Sequence, residues 1–207
     1  MRTMIARYLD KTVSRRGFIK NMMTSGFSVA SANSVLKSLE GSREDDSFEA
    51  IKYRNVEGTG GDLLIQQVKE AGVKYLFTNT GSYEVGFFDA LIKEPEIQLI
   101  LGLHEGIVIS MADGYHRVTK EPAFVNVHVI AGTAQMAGQL YNAHKDDSSL
   151  VVTAGLLDNE VFSDEISLGP SPGFDQKDIN RQFTKISWEV RNPKSIPAFT
   201  RRAFKVA

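Results

Sequence analysis

The 207-residue chain has room for one ordinary domain and additional segments, and its apolar content of 42% is enough to fill a single core. Its 24 Lys and Arg residues nearly balance its 25 Asp and Glu residues, so the basic excess typical of nucleic-acid-binding proteins is missing. The sequence contains no cysteine, which excludes disulfides, thiolate catalysis and cysteine-ligated metals. Because no apolar run reaches the roughly 18 positions of a membrane-spanning helix, we expect no stable membrane span.

The first 32 residues have the layout of an export signal. A basic start leads into a short, weakly apolar stretch, and Ala30-Ser31-Ala32 provides a small-residue cleavage pattern. The segment from Ser14 to Lys20 (SRRGFIK) resembles the twin-arginine motif of folded-protein export. We therefore expect residues 1–32 to be a twin-arginine signal and the mature protein to be periplasmic or otherwise exported, or cytoplasmic if the leader is not functional. The alternative is a basic amphipathic helix at a frayed terminus.

Beyond this segment the chain changes from a polar stretch to a regular alternation of strands and helices. Residues 33–57 are predicted to be a linker, because acidic residues there accompany Gly and Ser. From residue 58 onward, short apolar runs alternate with amphipathic ones, which predicts an α/β fold with a doubly wound parallel sheet and helices on both faces. Strands are predicted at 74–78, 97–101, 123–127, 150–154 and 183–190, and helices at 62–71, 82–92, 104–118, 134–143 and 195–206. Because the chain stops on a helix with no strand after it, we expect a single domain truncated at its C-terminal end.

Ligands of such sheets bind beyond the carboxyl ends of the strands, so the loops that follow the strands are the candidate site. Glu105 follows a strand and opens a helix, where the helix dipole favours a carboxylate and a dry setting would suit it to proton exchange. The plainer interpretation is that Glu105 only complements the dipole. Gly114, in the same helix, costs about 1 kcal/mol relative to Ala and predicts close packing against another element. The loops to inspect are 79–82, 102–105, 128–133 and 155–159, the last opening a long loop to residue 174 that is either functional or a surface excursion.

The Glu105 segment also carries a family resemblance. His104-Glu105, a run of small and apolar residues, and then Ala112-Asp113-Gly114-Tyr115 resemble the pyrimidine-domain signature of thiamine-diphosphate-dependent enzymes. The resemblance covers residues 58–207, and the pairing of Ser82 with His128 is most similar to benzoylformate decarboxylases, while acetolactate synthases share the general frame. Further motifs in family order are Asn79-Thr80-Gly81-Ser82, Asn126-Val127-His128, Ala131-Gly132-Thr133 and Thr153-Ala154-Gly155.

The resemblance implies a role for each of these positions. The family glutamate matched by Glu105 hydrogen-bonds the aminopyrimidine ring of thiamine diphosphate and so promotes loss of the proton at C2 of the thiazolium ring. By the same resemblance Ser82 binds the carboxylate of a 2-oxo acid and His128 shuttles protons, which suits the near-neutral pKa of an ordinary histidine. The implied cofactor-binding residues are Glu105, Gly81, Gly132 and Thr133. Alternatively, Ser82 only caps its helix, and His128 is a satisfied structural histidine.

The family also implies a second half of the site. Family members bind the diphosphate and its Mg²⁺ through another domain with a Gly-Asp-Gly motif, which this sequence lacks, so no metal ligand is predicted here. Because the cofactor lies between two subunits, the resemblance implies a homo-oligomer, at least a dimer joined through the Glu105 helix, or a partner chain that supplies the diphosphate domain. The competing hypothesis is a non-catalytic binding or assembly module. Gln135 stands where the family usually has Asn, and we expect its longer side chain to change how this loop meets a neighbouring subunit.

Overall fold

The computed structural model describes residues 2–44, 55–156, 169 and 173–207. These residues divide into two compact units, Met1–Asn55 and Val56–Ala207. The first unit contains α1 (Arg2–Leu9), α2 (Arg15–Thr24) and α3 (Val29–Glu44). In the second unit, the strands are β1 (Tyr75–Asn79), β2 (Gln98–Leu101), β3 (Ala123–Val127) and β4 (Leu150–Ala154). Its helices are α4 (Gly60–Glu70), α5 (Val85–Ile92), α6 (Glu105–Thr119), α7 (Val129–Gln135), α8 (Ala137–Lys145) and α9 (Ile196–Val206).

The first unit has a small apolar core of its own. Phe18 and Met22, one helical turn apart on α2, are fully buried, and the Phe18 ring lies 5.1 Å from that of Tyr8. Ala32 and Leu36 close this core from α3. Helix α3 continues through residues 33–44, so the linker prediction is wrong for that part, and residues 45–54 lie outside the described ones. Export after cleavage at Ala32 stays a prediction.

The second unit confirms the α/β prediction. Its four strands are parallel in the order β2-β1-β3-β4, and β3 and β4 have the predicted bounds. Alternate residues point to opposite faces, so Phe77 and Val125 pack with α6 and α8, while Leu76 and Phe124 pack with α4, α5 and α9. The connection that leaves β1 leads to β2 on one side, whereas the connection that leaves β3 leads to β4 on the other side, so the order of the strands reverses between β1 and β3. Ligand sites of open parallel sheets lie at the carboxyl ends of the strands at such a reversal.

Two predictions on local structure are wrong. Residues 129–133, expected to belong to the loop 128–133, begin α7, and the buried Met136 separates this helix from α8. Residues 183–190 do not form a strand: after a short 3-10 turn the chain is irregular. Its aromatic side chains pack on helices instead, with Phe183 against Tyr141 at 5.5 Å and Trp188 against Phe199 at 5.6 Å between ring centroids. These contacts explain the apolar pattern without strand pairing.

Gly114 in α6 has no close neighbour within the described part of this chain, and its packing against a second subunit stays a prediction. A Cβ placed on Gly114 would meet no atom within 4 Å in the described part of the chain, so this glycine does not permit a close approach between elements of one subunit. Most of the long loop between residues 156 and 174 lies outside the described residues. Among the helices that the structure describes, none combines the length and apolar character needed to cross a membrane.

Candidate functional site

A buried glutamate that the sequence analysis missed joins three of the loops at the carboxyl edge of the sheet. Glu84 ends the 3-10 turn Ser82–Glu84 after β1, and its side chain is only 2% exposed. Its Oε1 accepts hydrogen bonds from the backbone N–H groups of Val129 (3.2 Å) and Gly155 (3.1 Å). Its Oε2 accepts one from Gly81 N–H at 3.2 Å. These donors follow β3, β4 and β1 in turn, so one carboxylate, satisfied by several donors, fixes the loops of three strands.

His128 lies against this carboxylate. Its Nδ1 is 2.6 Å from Glu84 Oε2, and its ring stacks on Tyr83 with 5.9 Å between ring centroids. The side chain is 18% exposed, and its Nε2 has no hydrogen-bond partner in the described part of the chain. A Cβ on Gly81 would lie 2.4 Å from the ring, so only glycine leaves room for the imidazole at this position. The structure therefore places His128 beside Gly81, the neighbour of Ser82, and the functional roles of these residues stay predictions.

Glu105 occupies a different environment. It is the first residue of α6 and is 8% exposed. The preceding His104 caps the helix, because its Nδ1 accepts a hydrogen bond from Gly106 N–H at 3.0 Å. The Glu105 carboxylate has no hydrogen-bond partner among the described residues. It lies beside α7, where a Cβ on Gly132 would come within 3.0 Å of its Oε1. A buried carboxylate with unused acceptor capacity is the expected feature of a site that receives an N–H group from a ligand.

The two other predicted residues differ in their surroundings. Ser82 is exposed, and its hydroxyl makes no hydrogen bond with the described residues, so it does not cap the turn that it begins. Thr133 is buried, and its hydroxyl donates to Val129 C=O at 2.7 Å. Asn180 donates to the Thr133 carbonyl at 2.5 Å. Because Thr133 is engaged in holding α7, a direct contact with the cofactor stays a prediction, as does substrate binding by Ser82.

Helix α7 connects the two parts of the site. It begins directly after His128 and presents Gly132 to Glu105 one turn later. The predicted residues thus lie in or next to α7, in the loop after β1 and at the start of α6. Glu84 escaped the sequence analysis, although an acid three residues from the start of an apolar helix was an available signal. In the part of the chain that is described, no three His, Asp or Glu side chains are grouped as metal ligands.

This fold and this set of loops agree with the comparison to known sequences. The profile of the family described as thiamine pyrophosphate enzyme, N-terminal TPP binding domain, matches residues 58–178. Since this match covers more than half of the chain, the chain belongs to that family. The resemblance drawn from the sequence motifs is confirmed.

Two curated relatives indicate the branch of the family. Benzoylformate decarboxylase of Pseudomonas aeruginosa is 34% identical over 140 residues, which is 68% of this chain and 26% of the relative. The large subunit of acetolactate synthase from Haemophilus influenzae is 28% identical over 149 residues, 72% of this chain and 25% of the relative. The chain therefore spans about a quarter of the length of these relatives and corresponds to the N-terminal domain of benzoylformate decarboxylase-like and acetolactate synthase-like enzymes.

Solved structures give the same result. The thiamine diphosphate-dependent 4-hydroxybenzoylformate decarboxylase of Rhodococcus jostii superposes with a TM-score of 0.65 at 31% identity, over 71% of this chain and 27% of that one. A thiamin diphosphate-dependent enzyme from Mycobacterium smegmatis gives a TM-score of 0.66 at 29% identity, over 73% of this chain and 28% of that one. The parallel sheet is thus the fold of this family's N-terminal domain.

Proposed function

We propose that this chain forms the pyrimidine half of a thiamine diphosphate site in a 2-oxo-acid decarboxylase or carboligase. The observation that carries the proposal is Glu105, a buried carboxylate at the start of α6 without a hydrogen-bond partner among the described residues. An aminopyrimidine ring offers the nitrogen and N–H groups that such a carboxylate can bind. Gly132 supports the fit, because any larger residue would occupy space beside the carboxylate.

Each residue of this chain has a distinct task in the proposed site. When bound, the cofactor supplies the carbanion chemistry by which a 2-oxo acid loses carbon dioxide, and the protein supplies orientation and proton transfer. Glu105 holds a proton at the pyrimidine nitrogen. Gly132 leaves space beside the Glu105 carboxylate for the ring, and Gly81 binds the cofactor through its backbone while leaving room for the His128 imidazole. His128 moves a proton through Nε2, and the exposed Ser82 hydroxyl binds the substrate carboxylate. Mg²⁺ and the diphosphate bind to a second domain, in the same polypeptide or in a partner chain.

The proposal includes a second subunit that packs against α6. An open groove of about 440 Å³ lies between α6 and α8, and Ile107 at its side is 53% exposed. Exposed apolar side chains beside small ones favour close contact with another protein surface. The lining residues include His104, Gly106, Ile107, Ser110, Gln135 and Gly138. Gln135, which departs from the family pattern, therefore lies on the surface where the subunits would meet.

The role of Glu105 is tested by the Glu105→Gln substitution in the assembled enzyme. We expect exchange of the thiazolium C2 proton, followed by hydrogen–deuterium exchange of the bound cofactor, to slow by a factor of about 100 or more, because general acid–base groups contribute at least that much. Glu94→Gln is the matched control, since Glu94 is a partly buried carboxylate that pairs with Lys69 away from the proposed site. Exchange at the wild-type rate in Glu105→Gln, with the fold intact by circular dichroism, would reject the assignment.

We further propose that the Arg15-Arg16 segment directs twin-arginine export. Both arginines are exposed at the start of α2, whereas Phe18 faces the core of the first unit. Replacing both arginines with lysine keeps the charge and leaves that core unchanged. We expect the Arg15→Lys, Arg16→Lys protein to stay inside the cell, as measured by fractionation and N-terminal sequencing. Normal export of this variant, or a mature N-terminus at Met1 in the wild type, would show that the leader hypothesis is wrong.

A further inference from the structure

The hydrogen-bond partners of Glu84 indicate which atom carries the proton in the hydrogen bond between Glu84 and His128. The carboxylate receives three backbone N–H groups, from Gly81, Val129 and Gly155. An ionised carboxylate only accepts hydrogen bonds, and three donors at two oxygens match that ionised form. The 2.6 Å contact between Glu84 Oε2 and His128 Nδ1 needs one proton between the two atoms. Since the carboxylate has no proton to give, the imidazole is the donor.

We propose that Glu84 is a positioning residue that keeps the proton of neutral His128 on Nδ1 and so reserves Nε2 as the acceptor. A neutral imidazole has one N–H group and one lone pair, and the hydrogen bond at one nitrogen decides the state of the other. Nε2 has no partner in the described part of the chain, and the ring is partly exposed. This inference rests on the proposed role of His128, because the free Nε2 is the atom that would take a proton from a ligand.

The same carboxylate also fixes the backbone beside His128. Val129 has a φ of 34°, a conformation that a β-branched residue adopts only under constraint. Its N–H group donates to Glu84 Oε1 at 3.2 Å, directly on the C-terminal side of His128. The ring stacks on Tyr83, and it occupies the space that a Cβ on Gly81 would take. Glu84 thus anchors both the imidazole and the peptide that carries it, and its own side chain is almost completely buried.

The proposal is tested by ¹⁵N NMR of the histidine rings in the full 207-residue chain, in mildly alkaline buffer where an ordinary imidazole is neutral. The chain has four histidines, and the His128 signals are assigned by their loss in His128→Gln. We expect the wild-type His128 proton on Nδ1. In Glu84→Gln, the amide oxygen keeps the bonds to Val129 and Gly155, because the opposite orientation would lose two bonds and this one loses only the bond to Gly81. The amide nitrogen then donates to Nδ1, and the ring proton moves to Nε2.

Two outcomes overturn the proposal: a wild-type His128 with its proton on Nε2, or a Glu84→Gln protein that keeps the proton on Nδ1. The wild-type measurement decides the assignment even if Glu84→Gln does not fold. Glu94→Gln is again the control and should leave the His128 signals unchanged. In the assembled enzyme, Glu84→Gln should lower kcat by about 10- to 100-fold, as loss of an orienting partner does. Unchanged turnover in His128→Gln would reject the proposed role of His128, and the tautomer measurement would remain a separate result.

Discussion

Glu84 and Glu105 are both buried acids, but their partners assign them different tasks. The Glu84 carboxylate accepts hydrogen bonds from three backbone N–H groups and contacts a histidine, and it thereby holds together the loops that follow three strands. The Glu105 carboxylate lies beside Gly132 with its acceptor capacity open among the described residues. A fully paired carboxylate is suited to holding structure, whereas an unpaired one is suited to binding a ligand.

The contact between Gly81 and His128 leads to a prediction at the scale of one methyl group. In Gly81→Ala, the new Cβ would lie 2.4 Å from the imidazole, so the ring must leave its place beside Glu84. The backbone at Gly81 is extended, which alanine adopts freely, so the effect is steric. We expect kcat of the assembled enzyme to fall about 100-fold, because a displacement of about 1 Å can have that effect. Gly86→Ala is the matched control, since a Cβ there meets no described atom within 4 Å. Equal turnover in both variants would contradict the proposed role of His128.

The sequence predicted several of these residues but missed the one that connects them. Glu105, His128 and Gly132 carry recognisable motifs at strand ends. Glu84 lies in a short polar turn, and its partners Val129 and Gly155 follow it by 45 and 71 residues. Those partners are backbone N–H groups, which nearly every residue type has, so the sequence does not indicate which residues donate. Such a residue can be recognised only when the loops are seen together.

At the scale of elements, substitution of Gly114 in α6 tests whether this helix needs a glycine within one subunit or at a contact with a second subunit. Because a Cβ at this position would meet nothing within 4 Å among the described residues, Gly114→Ala should gain only helix propensity. We expect the free energy of unfolding of the 207-residue chain to rise by about 1 kcal/mol in a urea titration. A loss of stability would instead mean that glycine is required within the subunit. If Gly114→Ala is stabilised as a monomer but fails to associate in sedimentation, the glycine faces the second subunit.

Elements buried on both faces were predicted best. Strand β3 is buried at every position and has the predicted bounds, because its continuous apolar run is typical of a covered parallel sheet. Strand β4 at the sheet edge also has the predicted bounds, although only Val151 in it is buried. Helix α7 was missed, since its Gly132-Thr133 pair is typical of a turn and its start depends on the bond between Val129 and Glu84. Residues 183–190 were assigned to a strand because aromatic anchoring on α8 and α9 gives the same apolar alternation as a sheet.

At the scale of the whole molecule, the sequence predicted the fold of the α/β unit but not the helical core of the N-terminal unit. The leader hypothesis rests on residue order, and the helical core around Phe18 and Leu36 was not predicted, because its apolar residues are few and widely spaced. The family of the α/β unit was recognised from motifs, and the chain covers only about a quarter of the relatives that share them. In the proposed half-site, a second domain supplies the remaining contacts to the cofactor.

The half-site is the central claim, and calorimetric titration with thiamine diphosphate and Mg²⁺ tests it most directly. The 207-residue chain alone should show no tight binding, because the chain offers the pyrimidine contact at Glu105 but no Gly-Asp-Gly motif for the diphosphate. The titration is then repeated with a Gly-Asp-Gly domain present, either in the same polypeptide or in a partner chain. We expect tight binding, which Glu105→Gln weakens and Glu94→Gln leaves unchanged. Micromolar binding by the isolated chain, or binding by the assembled enzyme that is insensitive to Glu105→Gln, would contradict the account.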